Sequence, residues 1–136
     1  MAEEQCACAR GLVGMTRQLA NRHILVVEDE PIVALDLADI LQDNGAVVLG
    51  PASSVATARR LIADSRIDCA VLDVNLGHES VAPLVRELGE LKIPFLFMTG
   101  YDEKDMAPLW RDRLILHKPV VAAELINALT GICPAP

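Results

Sequence analysis

The sequence predicts an α/β fold in which a five-stranded parallel sheet is covered by helices on both faces, the doubly wound arrangement. Five short apolar runs alternate with stretches of helical periodicity, so that a strand-then-helix unit occurs five times. The apolar runs are nearly continuous rather than alternating, as in strands buried on both faces. A chain of 136 residues has room for one domain, and 52% hydrophobic residues suffice for its core.

The predicted strands follow one another at regular intervals, at residues 23–27, 46–50, 69–72, 94–98 and 114–117. The helix after the first strand has three aspartates on one face, and the sequence "DNG" should end it. Its inward residues are predicted to be Val33, Leu37, Ile40 and Leu41, and its solvent-facing residues Asp36, Asp39 and Asp43.

The remaining helices differ in how clearly the sequence marks them. Ser53 or Ser54 should cap the second helix, with Val55, Ala58, Leu61 and Ile62 turned inward. The third should place Val81, Leu84, Val85, Leu88 and Leu91 at helical spacing. The fourth, residues 102–112, contains Pro108 and has little periodicity, which predicts a frayed or irregular segment. The last helix is predicted at residues 122–129, and residues 1–21 form a predicted disordered tail before a folded domain at 22–136.

Composition excludes several classes of function. The net charge is −7 and no basic stripe is present, so neither nucleic acid nor an anionic membrane surface is an expected partner. No apolar run approaches the roughly 18 residues that cross a bilayer, and the N-terminus is unlike a signal peptide. Cys6 and Cys8 lack a second ligand pair and are expected to be tail residues, while Cys69 should be a small core residue. We expect a cytoplasmic protein.

Polar side chains stand where four of the predicted strands end. In doubly wound sheets, sites form at the carboxyl ends of the strands. The residues found there are Glu28, Asp29 and Glu30 after the first strand, Asp73 and Asn75 after the third, Thr99, Gly100 and Tyr101 after the fourth, and Lys118 and Pro119 after the fifth.

These residue types suit phosphoryl transfer to a carboxylate. An aspartate nucleophile and the incoming phosphoryl group are both anionic, so a cation such as Mg²⁺ must offset their repulsion. The acids after the first strand would hold that ion beside Asp73. Lys118 would hold one phosphoryl oxygen as a point charge, and the Thr99 hydroxyl would donate to another.

The ordered set EDEP, LDVNL, TG and KP resembles the receiver domain of bacterial two-component response regulators, over about residues 22–129. The resemblance implies a flavodoxin-like sheet in the order 2-1-3-4-5 and phosphorylation of Asp73 by a histidine kinase or a histidine phosphotransfer protein. It also implies the roles of the neighbouring residues: direct Mg²⁺ binding by Asp29, binding through a water by Glu28, a backbone carbonyl ligand from Asn75, phosphoryl binding by Thr99 and Lys118, and a cis Lys118–Pro119 bond.

The chain departs from the usual receiver pattern at Ile115, where receivers carry a tyrosine or phenylalanine that swings inward. This residue, the short segments around Thr99 and the sequence "FMTGY" resemble the FATGUY subfamily of receivers. By that resemblance, Tyr101 would take over part of the switching role. Receivers often dimerise through the fourth helix and the fifth strand, which leaves a weak homodimer open.

Several functions remain to be compared. As a phosphoacceptor rather than an enzyme, a stand-alone receiver would act by contact with an unidentified downstream protein, as a phosphate sink or as a relay shuttle. A pseudo-receiver that binds partners without phosphorylation is the alternative. A haloacid dehalogenase-type hydrolase is disfavoured because Asn75 replaces its general acid. A flavodoxin-like cofactor binder is disfavoured because acids rather than a phosphate-binding loop follow the first strand. His78, near Asp73, could touch a partner.

Overall fold

The computed structural model describes residues 18–100 and 113–134 and has the predicted doubly wound architecture. Five parallel strands form one sheet in the order β2-β1-β3-β4-β5, as the resemblance implied. The strands are β1 (His23–Val27), β2 (Val47–Ala52), β3 (Cys69–Asp73), β4 (Phe95–Thr99) and β5 (Ile115–His117). The helices in the described ranges are α1 (Pro31–Asp43), α2 (Val55–Asp64), α3 (Ala82–Glu90) and α4 (Ala122–Ile132). The predicted helix at 102–112 lies outside the described residues, so α4 here is the C-terminal helix.

Two apolar clusters hold the helices against opposite faces of the sheet. Successive side chains of a strand point to opposite faces, so each central strand supplies both clusters. Leu25 and Val27 pack with residues of α2 and α3, such as Ile62 and Leu84. The second cluster contains Ile24, Val26, Cys69, Val71, Leu37 and Leu41 of α1, and Leu125 and Leu129 of α4. The nearly continuous apolar runs of the sequence therefore reflect burial on both faces, as predicted.

The ends of α1 and α2 follow local signals. Gly45, at φ +90°, follows α1 where "DNG" predicted the stop. The Ser54 hydroxyl accepts a hydrogen bond from the Thr57 backbone and caps α2. Leu91, which shares the helical spacing of the buried Leu84 and Leu88, is 56% exposed directly after α3 ends at Glu90. Its N–H donates to the Glu87 carbonyl at 3.0 Å, so Leu91 keeps the helical register although its side chain is not buried.

The folded part of the chain begins before residue 22, the predicted start of the domain. Leu19 is fully buried among the residues packed against α1 and α4. Its backbone N–H donates to the Asn44 carbonyl at 3.0 Å, and the Arg22 Nε donates to the Pro134 carbonyl at 2.8 Å. At least the last residues of the predicted tail thus belong to the domain, while residues 1–17 lie outside the described residues. In the described ranges, no helix has the length and apolar character needed to span a membrane.

Candidate functional site

The carboxyl ends of β1, β3, β4 and β5 bring the predicted site residues to one edge of the sheet. The register pairs Val27 with Leu72, and Asp73 with Met98, so these strands end at nearly the same level. Asp73 and Thr99 are the last residues of β3 and β4, and Glu28 and Lys118 directly follow β1 and β5. The Glu28 N–H donates to the Ala52 carbonyl at 2.9 Å, which extends the β1–β2 pairing through Glu28.

Three carboxylates crowd into this edge. Glu28, Asp29 and Asp73 each offer an oxygen, and these oxygens lie within 4.8 Å of one another. Glu28 and Asp73 are 1% and 2% exposed, whereas Asp29 is open to solvent. Like charges this close repel by about 4 kcal/mol per pair near a protein surface. Carboxylate oxygens at such spacing are the donor set that a hard divalent cation requires, so these residues fit Mg²⁺.

Lys118 balances part of this charge from the neighbouring strand end. Its Nζ lies 2.9 Å from Glu28 Oε1 and donates to Asp73 Oδ2 at 3.1 Å. Burial disfavours the ammonium, but the hydrogen bond to Glu28 and the charge of Asp73 outweigh burial and raise the pKa of Lys118. The Lys118 N–H also donates to the Thr99 carbonyl at 2.9 Å, which fixes the lysine backbone beside β4.

The surroundings of Asp73 disfavour its ionised form. The Asn75 N–H donates to Asp73 Oδ1 at 3.0 Å, so both carboxylate oxygens have donors. Burial, followed by the interaction with Glu28, raises the pKa of Asp73 to about 6, against the opposing effects of Asn75 and Lys118. Such a group is largely ionised at neutral pH, at a cost that a nearby cation would relieve.

The other predicted residues stand as follows. Thr99 is fully buried at the end of β4, and Asn75 is exposed two residues after Asp73. The Lys118–Pro119 peptide bond is cis, as the resemblance implied. Ile115 is half-buried and packs against the cluster under α2 and α3. Tyr101 lies outside the described residues.

Sequence reasoning missed two loop contacts that shape the rim of the site. Gly77 has φ +61°, and a Cβ there would lie 3.5 Å from Asp29 Oδ2, so the loop after β3 passes close to that carboxylate. Two residues later, Glu79 Oε1 accepts a hydrogen bond from the Val55 N–H at 2.9 Å and ties this loop to the start of α2. The glycine itself was a signal for a turn; the partner of Glu79 had no local signal.

Comparison with known proteins identifies the family of this chain. The family described as response regulator receiver domain matches residues 24–130. The solution structure of SdrG from Sphingomonas melonis Fr1 is similar, with a TM-score of 0.74 and 37% identity over 82% of this chain and 96% of that chain. The BeF3-activated conformation of SdrG, reported from Pseudomonas melonis Fr1, has a TM-score of 0.67 and 38% identity over 81% of this chain and 94% of that chain.

Among curated proteins, the transcriptional regulatory protein PdtaR of Mycobacterium tuberculosis (strain ATCC 25618 / H37Rv) is 27% identical over 112 residues, which cover 79% of this chain and 55% of PdtaR. The chain therefore spans about half the length of this curated relative. The family match covers most of the chain, and the sheet order and the acidic edge of the sheet agree with it. The chain belongs to the response regulator receiver domain family of two-component signalling.

Proposed function

We propose that this domain accepts a phosphoryl group on Asp73 from a histidine kinase or a histidine phosphotransfer protein, with Mg²⁺ bound beside the aspartate. The observation that carries the proposal is the contact of the Lys118 ammonium with both Asp73 and Glu28, next to the carboxylate of Asp29. A buried like-charged cluster of this kind is costly to fold, and it supports a function in binding a cation and a phosphoryl group.

The residues that would hold the ion are those whose oxygens converge at the sheet edge. Asp29 would bind it directly, Glu28 mainly through a water, Asp73 through its carboxylate and Asn75 through its backbone carbonyl. When bound, the ion neutralises negative charge on the carboxylate and on the phosphoryl oxygens. The exposed position of Asp29 and the buried position of Glu28 agree with a direct ligand at the mouth and an indirect one beneath.

The chain's own residues prepare Asp73 as the nucleophile. With a pKa of about 6, Asp73 is mostly ionised at neutral pH. The Asn75 N–H orients Oδ1, and Lys118 contacts Oδ2. As an Asp73 oxygen bonds to phosphorus, the bond from phosphorus to the donor histidine nitrogen breaks and its electron pair stays on that nitrogen. Lys118 can then bind a phosphoryl oxygen while it keeps Glu28 as a partner, and Thr99 would donate its hydroxyl to another.

An apolar rim on α1 provides a docking surface for the phosphodonor protein. Ile32 and Leu35 are 82% and 65% exposed in the first two turns of α1, directly after the acidic residues. A groove of about 250 Å³ between Ile32 and Pro119 lies on one side of the helix. A second groove, of about 330 Å³, contains Leu35 and Asp29 on the other side. A protein that brings phosphohistidine to Asp73 would cover this rim and bury both side chains.

Ile115 favours one alternative, a pseudo-receiver that binds partners without phosphorylation. The residue is half-buried against the core cluster and carries no aromatic ring that could swing inward. In the phosphoacceptor proposal Tyr101 assumes part of this role, in keeping with the resemblance to the FATGUY subfamily. The output of the phosphorylated domain is contact with a downstream protein, transfer of the phosphoryl group to another phosphoacceptor, or storage of phosphate. The domain acts in the cytoplasm, as a monomer or a weak homodimer.

Amide NMR spectra of the full chain with Mg²⁺, before and after beryllofluoride, test the proposal. Beryllofluoride mimics a phosphoryl group on aspartate, and SdrG has been solved in a BeF3-activated conformation. We expect shifts at Asp73, Thr99 and Lys118 that spread into residues 100–116. Asp73→Asn should abolish the response, and Asp39→Asn, an exposed carboxylate on α1, should retain it. Shifts confined to the site would favour a sink or shuttle. No response would favour the pseudo-receiver.

A further inference from the structure

Two buried thiols meet at the opposite end of β3 from Asp73. Cys69 is the first residue of β3 and is fully buried, and Cys133 directly follows α4 and is 6% exposed. Their sulfur atoms lie 2.8 Å apart although the residues are separated by 64 positions. Both are free thiols. Neither belongs to the phosphoacceptor site, so the pair needs an explanation of its own.

The surroundings make the two sulfurs chemically unequal. The hydrogen bond from Cys69 lowers the pKa of Cys133 against the effect of burial, and the guanidinium of Arg22 acts in the same direction. Arg22 is fixed there because its Nε donates to the Pro134 carbonyl, one residue beyond Cys133. The hydrogen bond with Cys133, followed by burial, raises the pKa of Cys69. Cys133 is thus the more readily ionised sulfur of the pair, and Cys69 is the thiol that donates to it.

We propose that Cys69 and Cys133 form a redox-active dithiol that a hydroperoxide converts into an intramolecular disulfide. The Cys133 thiolate attacks the peroxide oxygen; the O–O bond breaks, Cys133 becomes a sulfenic acid and hydroxide leaves. The Cys69 sulfur then attacks the Cys133 sulfur, the S–S bond forms, and the sulfenic hydroxyl leaves as water with a proton. In sum, two thiols and hydrogen peroxide give one disulfide and two waters.

The position of Cys133 gives the oxidant a route to a buried pair. Cys133 follows the last residue of α4, and the next residue, Pro134, is exposed. Helix ends open locally more readily than helix centres, so Cys133 reaches solvent without global unfolding. On closing again it meets Cys69 at a separation that exceeds a disulfide bond of about 2.05 Å by less than about 1 Å. The disulfide would tie the end of α4 to β3.

The experiment uses the full chain carrying Cys6→Ser and Cys8→Ser, so that only the proposed pair remains. After treatment with hydrogen peroxide and alkylation of free thiols, trypsin releases Cys69 in residues 67–86 and Cys133 in residues 114–136. We expect these peptides joined, with the loss of two hydrogen atoms, and separated again by dithiothreitol. Because the bond closes a long loop, the Tm of the oxidised protein should rise by about 5–15 °C.

Cys133→Ser, added to the same background, is the matched control and should show neither the joined peptide nor the rise in Tm. The proposal is overturned if Cys69 stays alkylatable while Cys133 becomes a sulfinic or sulfonic acid, or if neither thiol is oxidised. It is also overturned if the peptides join only between two chains or only in urea. None of these results depends on phosphorylation of Asp73, so this proposal and the proposed function fail separately.

Discussion

Replacing Asp73 with asparagine should stabilise the metal-free protein, although it removes the proposed phosphoacceptor. Asparagine keeps the shape of the side chain and an oxygen that can accept from the Asn75 N–H. It removes one of the two negative charges that are buried in the described part of the chain, Glu28 being the other. The charged state of Asp73 is disfavoured by burial and by Glu28, as its raised pKa shows. The asparagine variant has no charge at this position, so its native state lacks this unfavourable free energy.

The magnitude and the pH dependence follow from the pKa. A rise from 3.8 to about 6 corresponds to about 3 kcal/mol, at 1.36 kcal/mol per unit. This figure already includes the attraction of Lys118, but burying the asparagine amide has a cost of its own, which reduces the expected gain to about 1–2 kcal/mol. The native state binds the proton more tightly than the unfolded chain does. The cost of the Asp73 charge is therefore absent below pH 3.8, grows through the interval up to about 6 and is complete above it.

Urea unfolding in the presence of EDTA, at pH 4 and at pH 8, measures this effect. At pH 8 the midpoint of the variant should exceed that of the wild type by about 0.5–1 M urea, and near pH 4 the two should be close. Asp39→Asn, which removes an exposed carboxylate of α1, controls for net charge and should shift the midpoint little at either pH. Equal midpoints of Asp73→Asn and wild type at pH 8, or a gain that is the same at both pH values, would refute the reasoning.

Three further predictions concern the cation, the lysine and a glycine of β2. Mg²⁺ at a hundredfold excess over its Kd should raise the free energy of unfolding by about 2.7 kcal/mol, and Asp29→Asn should greatly reduce this gain. Calorimetric melts measure the gain, and the same gain in the variant would argue against Asp29 as a ligand. Lys118→Met should raise the pKa of Asp73 further, because it removes an ammonium that lies 3.1 Å from the Asp73 carboxylate. NMR titration of the Asp73 carboxyl carbon without metal measures this pKa, and an unchanged value would contradict the prediction. Gly50→Ala should destabilise the protein by more than about 1 kcal/mol, because φ is +97° and a Cβ would lie 2.6 Å from the Ala52 nitrogen. Its counterpart Gly89→Ala, in α3 with nothing within 4 Å of the added Cβ, should instead gain up to about 1 kcal/mol in urea unfolding; a reversed order would contradict the described backbone.

The fold and the location of the site could be predicted because both depend on residues inside regular elements. A strand covered on both faces must be apolar throughout, so β1, β3 and β4 were visible as continuous runs. Parallel strands end at a common edge of the sheet, so the polar residues that directly follow these strands were expected to lie close together. The sequence did not predict which carboxylate of "EDE" is buried. Pairing with β2 continues through Glu28, while Glu30 is exposed at the N-cap position of α1, and no local pattern separates the two.

The path of β2 shows a second limit of sequence reasoning. The strand was predicted at residues 46–50, where the apolar run ends before Pro51. Instead the register shifts between Leu25 and Val27, and pairing resumes at Ala52 after Gly50 and Pro51. The resumed pairing is what supports Glu28. The sequence showed the glycine and the proline, but only the neighbouring β1 determines that the chain returns to the sheet after them.

The thiol pair was not predictable because it depends on where a helix ends. The last helix was expected to stop at residue 129, but it continues to Ile132. Each helical residue advances the chain by about 1.5 Å and turns it by about 100°, so three more residues move Cys133 by about 4.5 Å and rotate it by about 300°. Those residues place its sulfur on Cys69, the first residue of β3. A helix end is determined by differences of a few tenths of a kcal/mol per residue, and the long-range contacts made at that end change with it.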